Sequence, residues 1–324
     1  MSTTSDRDAT SDIEIRPLQE ADLAAADHVF RLAFGTAFGL PDPLRFAEGA
    51  DLLHGRWRAD PTSACAAEVD GEIVGSAFAA RWGTFAMFGP LTVHPELWDR
   101  GVGKRLWEAL MPLLERWGTT HAGLYTHPES TKHIHLYQKF DFWPRFLTAV
   151  TAKDVEAHAG REQTWSAYSS LPHDERERRL EDCREVTDAI YAGLDLEREI
   201  GAVADQRLGE TILLGDVGAL DSFAVCHAGE GSEAGLDTLF VKFAAVRPGE
   251  EAAERFDELL DACEALAAES GLSRLVAGVN LARGEAYRGL LARGHRTWIQ
   301  GVAMQRPNEP GFCRPGLYVL DDWR

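Results

Sequence analysis

The stretch VHPELWDRGVGKRLWEAL, residues 93–110, decides how this 324-residue chain is read. It leaves an apolar run at Val93, passes a proline, and reaches Gly101 and Gly103, with Arg100, Lys104 and Arg105 beside them. Beyond the glycines, Val102, Leu106, Leu110, Leu113 and Trp117 recur at helical spacing, which predicts a helix from Gly101 to about residue 117. The stretch is therefore a strand-to-helix turn carrying glycines and cations. A helix start presents unpaired N–H groups and roughly half a positive charge, so it can hold an anion. Glycine there lets the anion approach the backbone without a Cβ in the way. Taken alone, the Gly-x-Gly fits a plain, tightly packed helix start equally well. A dinucleotide fingerprint would need a third glycine where Leu106 stands, and no phosphate loop of the GxxxxGK[ST] type is present. The pyrophosphate of coenzyme A is the anion left to consider.

Working outward, residues 13–19 alternate like a strand, and 20–34 show helical spacing. A Gly/Pro-rich stretch follows, then a short helical segment around 46–57. Strands are predicted at 64–69, 73–81 and 85–93, the first two joined by Asp70-Gly71, a strong hairpin signal. After the glycine helix come a strand at 121–126, a helix near 130–140 and a strand pair around 142–152. The second half repeats the plan: a charge-dense helix at 173–188, strands near 210–215, 222–228 and 238–246, a helix at 250–269, a strand at 274–279, a helix at 282–293 and a strand at 296–305. Equal element order with slight residue-level similarity suggests duplication. The division expected is a disordered tail at 1–12, a first domain at 13–152, a connector at 153–172 and a second domain at 173–324.

Composition bounds the function. The net charge of −19 argues against nucleic acid, whose phosphates would be repelled, and is compatible with cationic acceptors or with simple solubility. No apolar run is long enough to span a bilayer, so no membrane role is expected. Five scattered cysteines with no CxxC pair suggest neither a metal site nor a disulfide framework, and point to the reducing cytoplasm.

On two motifs the first half resembles the GNAT N-acetyltransferase superfamily. The acyl-CoA motif [Q/R]-x-x-G-x-[G/A], after a strand ending near V-x-P, stands here as LTVHPELWDRGVGKRL, with Trp98 at its first position. The later L-Y-x-x-x-G-F signature stands as LYQKFDF, with Leu136, Tyr137 and Phe142 matching and Asp141 in place of the glycine. The resemblance implies an α+β fold of two GNAT-like domains, each a mixed, mostly antiparallel sheet flanked by helices. It implies acetyl-CoA as cosubstrate and a primary amine, on a small molecule or peptide, as acceptor, with direct attack in a ternary complex. It places coenzyme A against Leu91, Thr92 and Val93, against the loop Asp99, Arg100, Gly101, Val102, Gly103 and Lys104, and near Ser130, which stands where the family has asparagine. Backbone N–H groups of 91–93 would hold the oxyanion, and Tyr137 would serve the leaving thiolate.

An alkyl amine of pKa ~10.4 costs roughly 4–5 kcal/mol to deprotonate at neutral pH, so a base, a water chain or a depressed amine pKa must help. His133 lies one helical turn before Tyr137 and is the candidate taken here; His94 and His127 are alternatives, and each can equally be structural. Trp57, Trp82, Phe46 and Glu48 are candidates for lining the acceptor pocket or for packing. A phenol near 10 is a weaker acid than a thiol near 8.5, so Tyr137 suits hydrogen-bond stabilisation better than a full proton hop. In the second half the equivalent turn carries one glycine, Gly249, followed by Glu250 and Glu251, and Leu290 falls at the tyrosine position. Carboxylates there would repel phosphate, so this half is expected to have lost coenzyme A and to shape the pocket, to mediate a possible homodimer or to stabilise its neighbour. The competing expectation for the whole chain is a non-catalytic acyl-CoA-binding or interaction module.

Overall fold

The computed structural model describes residues 13–156 and 165–324; the expected tail at 1–12 and the middle of the expected connector lie outside the described residues. The first half runs β1 (Glu14–Pro17), α1 (Leu23–Ala37), α2 (His54–Ala59), β2 (Ala64–Val69), β3 (Glu72–Trp82), β4 (Phe85–Val93), α3 (Val102–Leu110), α4 (Pro112–Arg116), β5 (His121–Thr126), α5 (Thr131–Gln138) and β6 (Trp143–Asp154). The second runs β7 (Ser166–Ala167), α6 (His173–Ile190), α7 (Glu197–Gln206), β8 (Gly209–Asp216), β9 (Ala219–Ala228), β10 (Thr238–Val246), α8 (Ala252–Glu269), β11 (Arg274–Asn280), α9 (Gly284–Ala292), β12 (Arg296–Arg306) and β13 (Val319–Leu320).

Asp70 and Gly71 both take positive φ, the backbone a two-residue hairpin turn requires, and they join β2 to β3. The helix expected over 101–117 is broken in two, because Pro112 has no N–H to donate back to its fourth neighbour and so starts α4 afresh. The strand pair expected at 142–152 is one twelve-residue strand, β6. Helix α7 was not expected: its segment is polar, and only Ile200 and Val203 are buried in it.

The strands form one sheet, in the order β1-β2-β3-β4-β5-β12-β6-β11-β10-β9-β8-β7, with β13 added on β10. Each half contributes one parallel pair, β4 with β5 and β10 with β11, and every other pairing is antiparallel. The last long strand of each half has crossed over. β12 lies on β5 of the first half, while β6 lies on β11 of the second. The cores follow the crossing: Val302 and Met304 of β12 pack with Phe88, Leu106 and Trp107, and Ala149 of β6 packs with Phe256 and Leu259.

Candidate active site

The site begins where β4 and β5 part. Their parallel register runs from Phe85 opposite His121 to Phe88 opposite Leu124 and stops there. The cause is the Gly89-Pro90 step, at which the pairing of β4 with β3 also shifts register. Proline has no N–H for the ladder, and Gly89 adopts φ 141°, so an extra residue is accommodated as a bulge. Beyond it, Leu91, Thr92 and Val93 pair only with β3. His94 N donates to Val74 O at 2.8 Å, which makes that a hydrogen-bonded pair. By the alternation of antiparallel ladders, Leu91 and Val93 therefore turn their N–H and C=O away from β3, into the wedge that β5 has left. The Val93 carbonyl accepts from Trp98 Nε1 at 2.8 Å. Trp98 thus ties the following loop to the strand end.

Helix α3 starts beside this wedge. Its N-cap, Gly101, has φ 79°, a left-handed conformation natural to glycine. Gly103 is different: its φ is ordinary for a helix, and a Cβ there would sit 3.5 Å from Leu91 and 3.8 Å from Leu136 and Val93. Alanine would fit the protein at that point, so neither backbone nor packing asks for glycine. Val102 is buried and offers only its backbone. Lys132 lies 3.5 Å from Asp99 and 4.9 Å above the Trp98 ring, so the acidic side chain nearest the glycines has a cation beside it. Lys104 pairs with Glu108 at 2.6 Å. The residues present fit the phosphates of acetyl-CoA.

Across the wedge, α5 carries Tyr137, which is buried against Trp107 with ring centroids 4.8 Å apart. Burial pushes its phenol well above the usual tyrosine range. His133 stacks over Tyr137 at 6.3 Å, and its Nδ1 is 2.7 Å from Ser130 Oγ. Burial first, then the charges of Lys132 and His127, hold its pKa below the ordinary histidine value. His127 is likewise lowered by burial and stands edge-on between Phe38 and Tyr125. The His94 imidazole accepts from Glu96 N at 3.4 Å through Nδ1.

The remaining aromatic candidates separate cleanly. Trp82 lies in the core and donates to Glu199 at 2.9 Å, and Trp57 donates to Leu18 O; both are structural. Phe46 stacks with Phe34 and Phe38, and Glu48 pairs with Arg45. Sequence reasoning missed Phe38, which is half exposed beside His127, and Arg56, whose Nη1 donates to Gly89 O at 2.7 Å at the bulge. The Gly-Pro pair inside a predicted strand was the available signal for the bulge.

The second half repeats the wedge. β10 and β11 stay in register only from Thr238 opposite Arg274 to Val241 opposite Ala277, and β10 bulges at Lys242. Here the gap is filled by the chain itself: β13 pairs Leu320 with Ala244 and Val319 with Ala245, and Val246 N donates to Tyr318 O at 3.1 Å. Leu290 is buried where the first half has Tyr137, and Tyr287 donates to or accepts from Thr297 at 3.0 Å.

All five cysteines are free and buried, no cluster of metal-ligating side chains occurs among the described residues, and no described helix is long and apolar enough to cross a membrane. Residues 29–142 match the family model described as Acetyltransferase (GNAT) family. No curated protein sequence matches the chain. Among solved structures, a protein assigned as an acetyltransferase from Pyrococcus horikoshii superposes with a TM-score of 0.67 at 14% identity, covering 96% of this chain and 95% of the other. A GCN5-related N-acetyltransferase from Sphaerobacter thermophilus gives 0.57 at 18% identity, covering 97% and 98%. A tandem GNAT protein from the clavulanic acid biosynthesis pathway gives 0.53 at 13% identity, covering 90% and 98%. Residues 29–142 thus match the acetyltransferase (GNAT) family model, and the chain as a whole shares its fold with a tandem GNAT protein.

Proposed function

We propose that the protein transfers the acetyl group of acetyl-CoA to a primary amine by direct attack in a ternary complex, using the β4–β5 wedge of the first half alone. The observation that carries this reading is the pairing of an open wedge at Leu91–Val93 with a helix start whose Gly103 no protein contact requires. The units we assign are residues 13–152 for transfer and 173–324 for support, joined through 153–172. Acetyl-CoA supplies an activated thioester. The chain would hold its phosphates on the backbone of residues 99–104 and leave Leu91 and Val93 N–H free to stabilise an oxyanion. Tyr137 would donate a hydrogen bond to the leaving sulfur without surrendering its proton. His133, whose pKa burial and Lys132 lower, has Nδ1 held against Ser130 Oγ and is the base we assign. The half-exposed Phe38 beside His127 marks the side from which an amine would enter; the acidic chain favours cationic amines.

Release of free coenzyme A thiol across a panel of amines tests the reading, with turnover expected for at least one amine and none in Gly103→Glu. A second reading, a non-catalytic acyl-CoA-binding module, is favoured by the burial of the Tyr137 side chain. Tight acetyl-CoA binding with no turnover on any amine would decide for it.

A further inference from the structure

We propose that Glu233 of the second half, acting through Arg56, sets the opening of the β4–β5 wedge, so that the second half is a positioning partner for the acetyl-CoA site. The inference rests on reading that wedge as the acetyl-CoA site. At the bulge the Gly89 carbonyl is turned out of the ladder and accepts from Arg56 Nη1 at 2.7 Å. The rest of the guanidinium faces the other half: Nε and Nη2 donate to the two oxygens of Glu233 at 2.7 and 2.8 Å. Glu233 Oε2 also accepts from Lys242 Nζ at 2.7 Å. Lys242 is itself the extra residue at the β10 bulge. One carboxylate therefore ties together the two bulges at which the two wedges open.

The cluster is secluded from water: the side chains of Arg56, Glu233 and Lys242 are 9%, 7% and 4% exposed. Arg56 and Lys242 hold the Glu233 carboxyl well below the usual carboxylate range despite its burial. His227 accepts from Glu233 N at 3.3 Å, and burial lowers its pKa from the ordinary histidine value. The loop bearing Glu233 is fastened to the first half at two further points, Gly231 N to Gly49 O and Asp51 N to Ser232 O, each 2.9 Å. A buried charge cluster is a poor source of stability compared with apolar packing, and its best-attested use is to specify geometry. Here the geometry specified is the place where β4 turns away from β5.

The test uses the full chain. Glu233→Gln keeps the shape but removes the charge, and Arg56→Lys keeps the charge but cannot reach Gly89 and both Glu233 oxygens together. Arg179→Met is the control, because Arg179 is an equally buried arginine holding Asp182 and the Gly215 and Asp216 carbonyls at the far end of the sheet. Acetyl-CoA affinity is measured by calorimetry well below each thermal midpoint. Displacement of a binding edge predicts a Kd raised on the order of tenfold or more in both test variants. Arg179→Met should melt earlier yet bind like wild type. Test variants that fold and bind acetyl-CoA like wild type would overturn the inference; if Glu233→Gln fails to fold, Arg56→Lys carries the decision. Wild-type protein that fails to bind acetyl-CoA would instead refute the wedge as its site, and this inference with it.

Discussion

Cutting the chain between residues 156 and 165 and producing the two pieces separately should leave neither piece folded. The crossing of β6 and β12 determines this. Between the halves run five registered residue pairs of β5 with β12, nine of β6 with β12 and seven of β6 with β11. With about one ladder hydrogen bond per pair and ~1 kcal/mol net for each, the cut removes on the order of 20 kcal/mol. A domain's entire stability is typically 5–15 kcal/mol, so the loss exceeds what either piece has to spare. It also strips Val302 and Met304 from the core around Trp107, and leaves β5 with an open edge inviting aggregation. Circular dichroism melts and size-exclusion chromatography of each piece should show no cooperative transition and a tendency to self-associate. The two pieces produced together should co-purify as one complex with a single melt. A first piece that melts cooperatively on its own and binds acetyl-CoA would refute the reasoning, because it would mean that β5 and β6 close on each other without β12.

Three further outcomes are expected. Gly103→Glu should abolish acetyl-CoA binding in calorimetry while the thermal midpoint moves little, since the Cβ it adds meets only ordinary contacts with Leu91, Val93 and Leu136. Tyr137→Phe should lower kcat by about 10²-fold or more, with acetyl-CoA affinity nearly unchanged, because the hydroxyl acts mainly in the transition state; a twofold loss would assign Tyr137 to packing against Trp107. Stability should fall as pH drops from about 6.5 towards 4. The cause is His295, buried with Nδ1 3.1 Å from Thr151, whose pKa is lowered from 6.5 to about 4 by burial and by Lys153. Its folded pKa lies below its unfolded one, so its contribution is complete above pH 6.5 and is lost through that window, by roughly 3 kcal/mol at most. Urea titrations of wild type and His295→Gln at pH 7 and pH 4.5 check this, and parallel pH profiles in the two would sink the attribution.

Elements with a strong local period were legible in the sequence. Strands β4, β5 and β10 coincide with the predicted spans, and α3 with the first part of the predicted apolar stripe, which Pro112 divides between α3 and α4. What local reading could not supply was partnership. Nothing in residues 143–154 says that they pair with β11 and not with β5, because either neighbour would bury the same face. Helix α7 escaped because its apolar positions, Leu196, Ile200 and Val203, are few within a charged segment, although their spacing is helical. Within the site, Gly101 and Gly103 were legible because helix starts have fixed chemistry. Arg56 was not, since an arginine in the segment HGRWRA looks like any surface residue until Gly89 and Glu233 come to meet it.

The same limit applies to the second half. Glu250 and Glu251 were read as the reason it should not hold phosphate, and they do stand at the start of α8 beside a single glycine. The fold supplies an earlier obstacle. A wedge admits a pantetheine arm only while its strand edge is unpaired, and β13 has already paired with Ala244 and Ala245. From there the chain continues past Gly278, where any Cβ would lie 2.2 Å from Asp322, and past Gly123, where one would lie 2.7 Å from the Trp323 ring. Those two glycines, on β11 and β5, are what let one segment fill the second wedge and then brace the first half from beneath. Its last described residue offers a main-chain oxygen to Arg56, the side chain that holds the first bulge. Filling one wedge and supporting the other are thus done by a single stretch of chain. Mutational repair of the acidic turn alone, leaving residues 318–322 in place, would therefore restore no second acetyl-CoA site, and calorimetry of a Glu250→Gly, Glu251→Gly double variant should still show one binding event per chain.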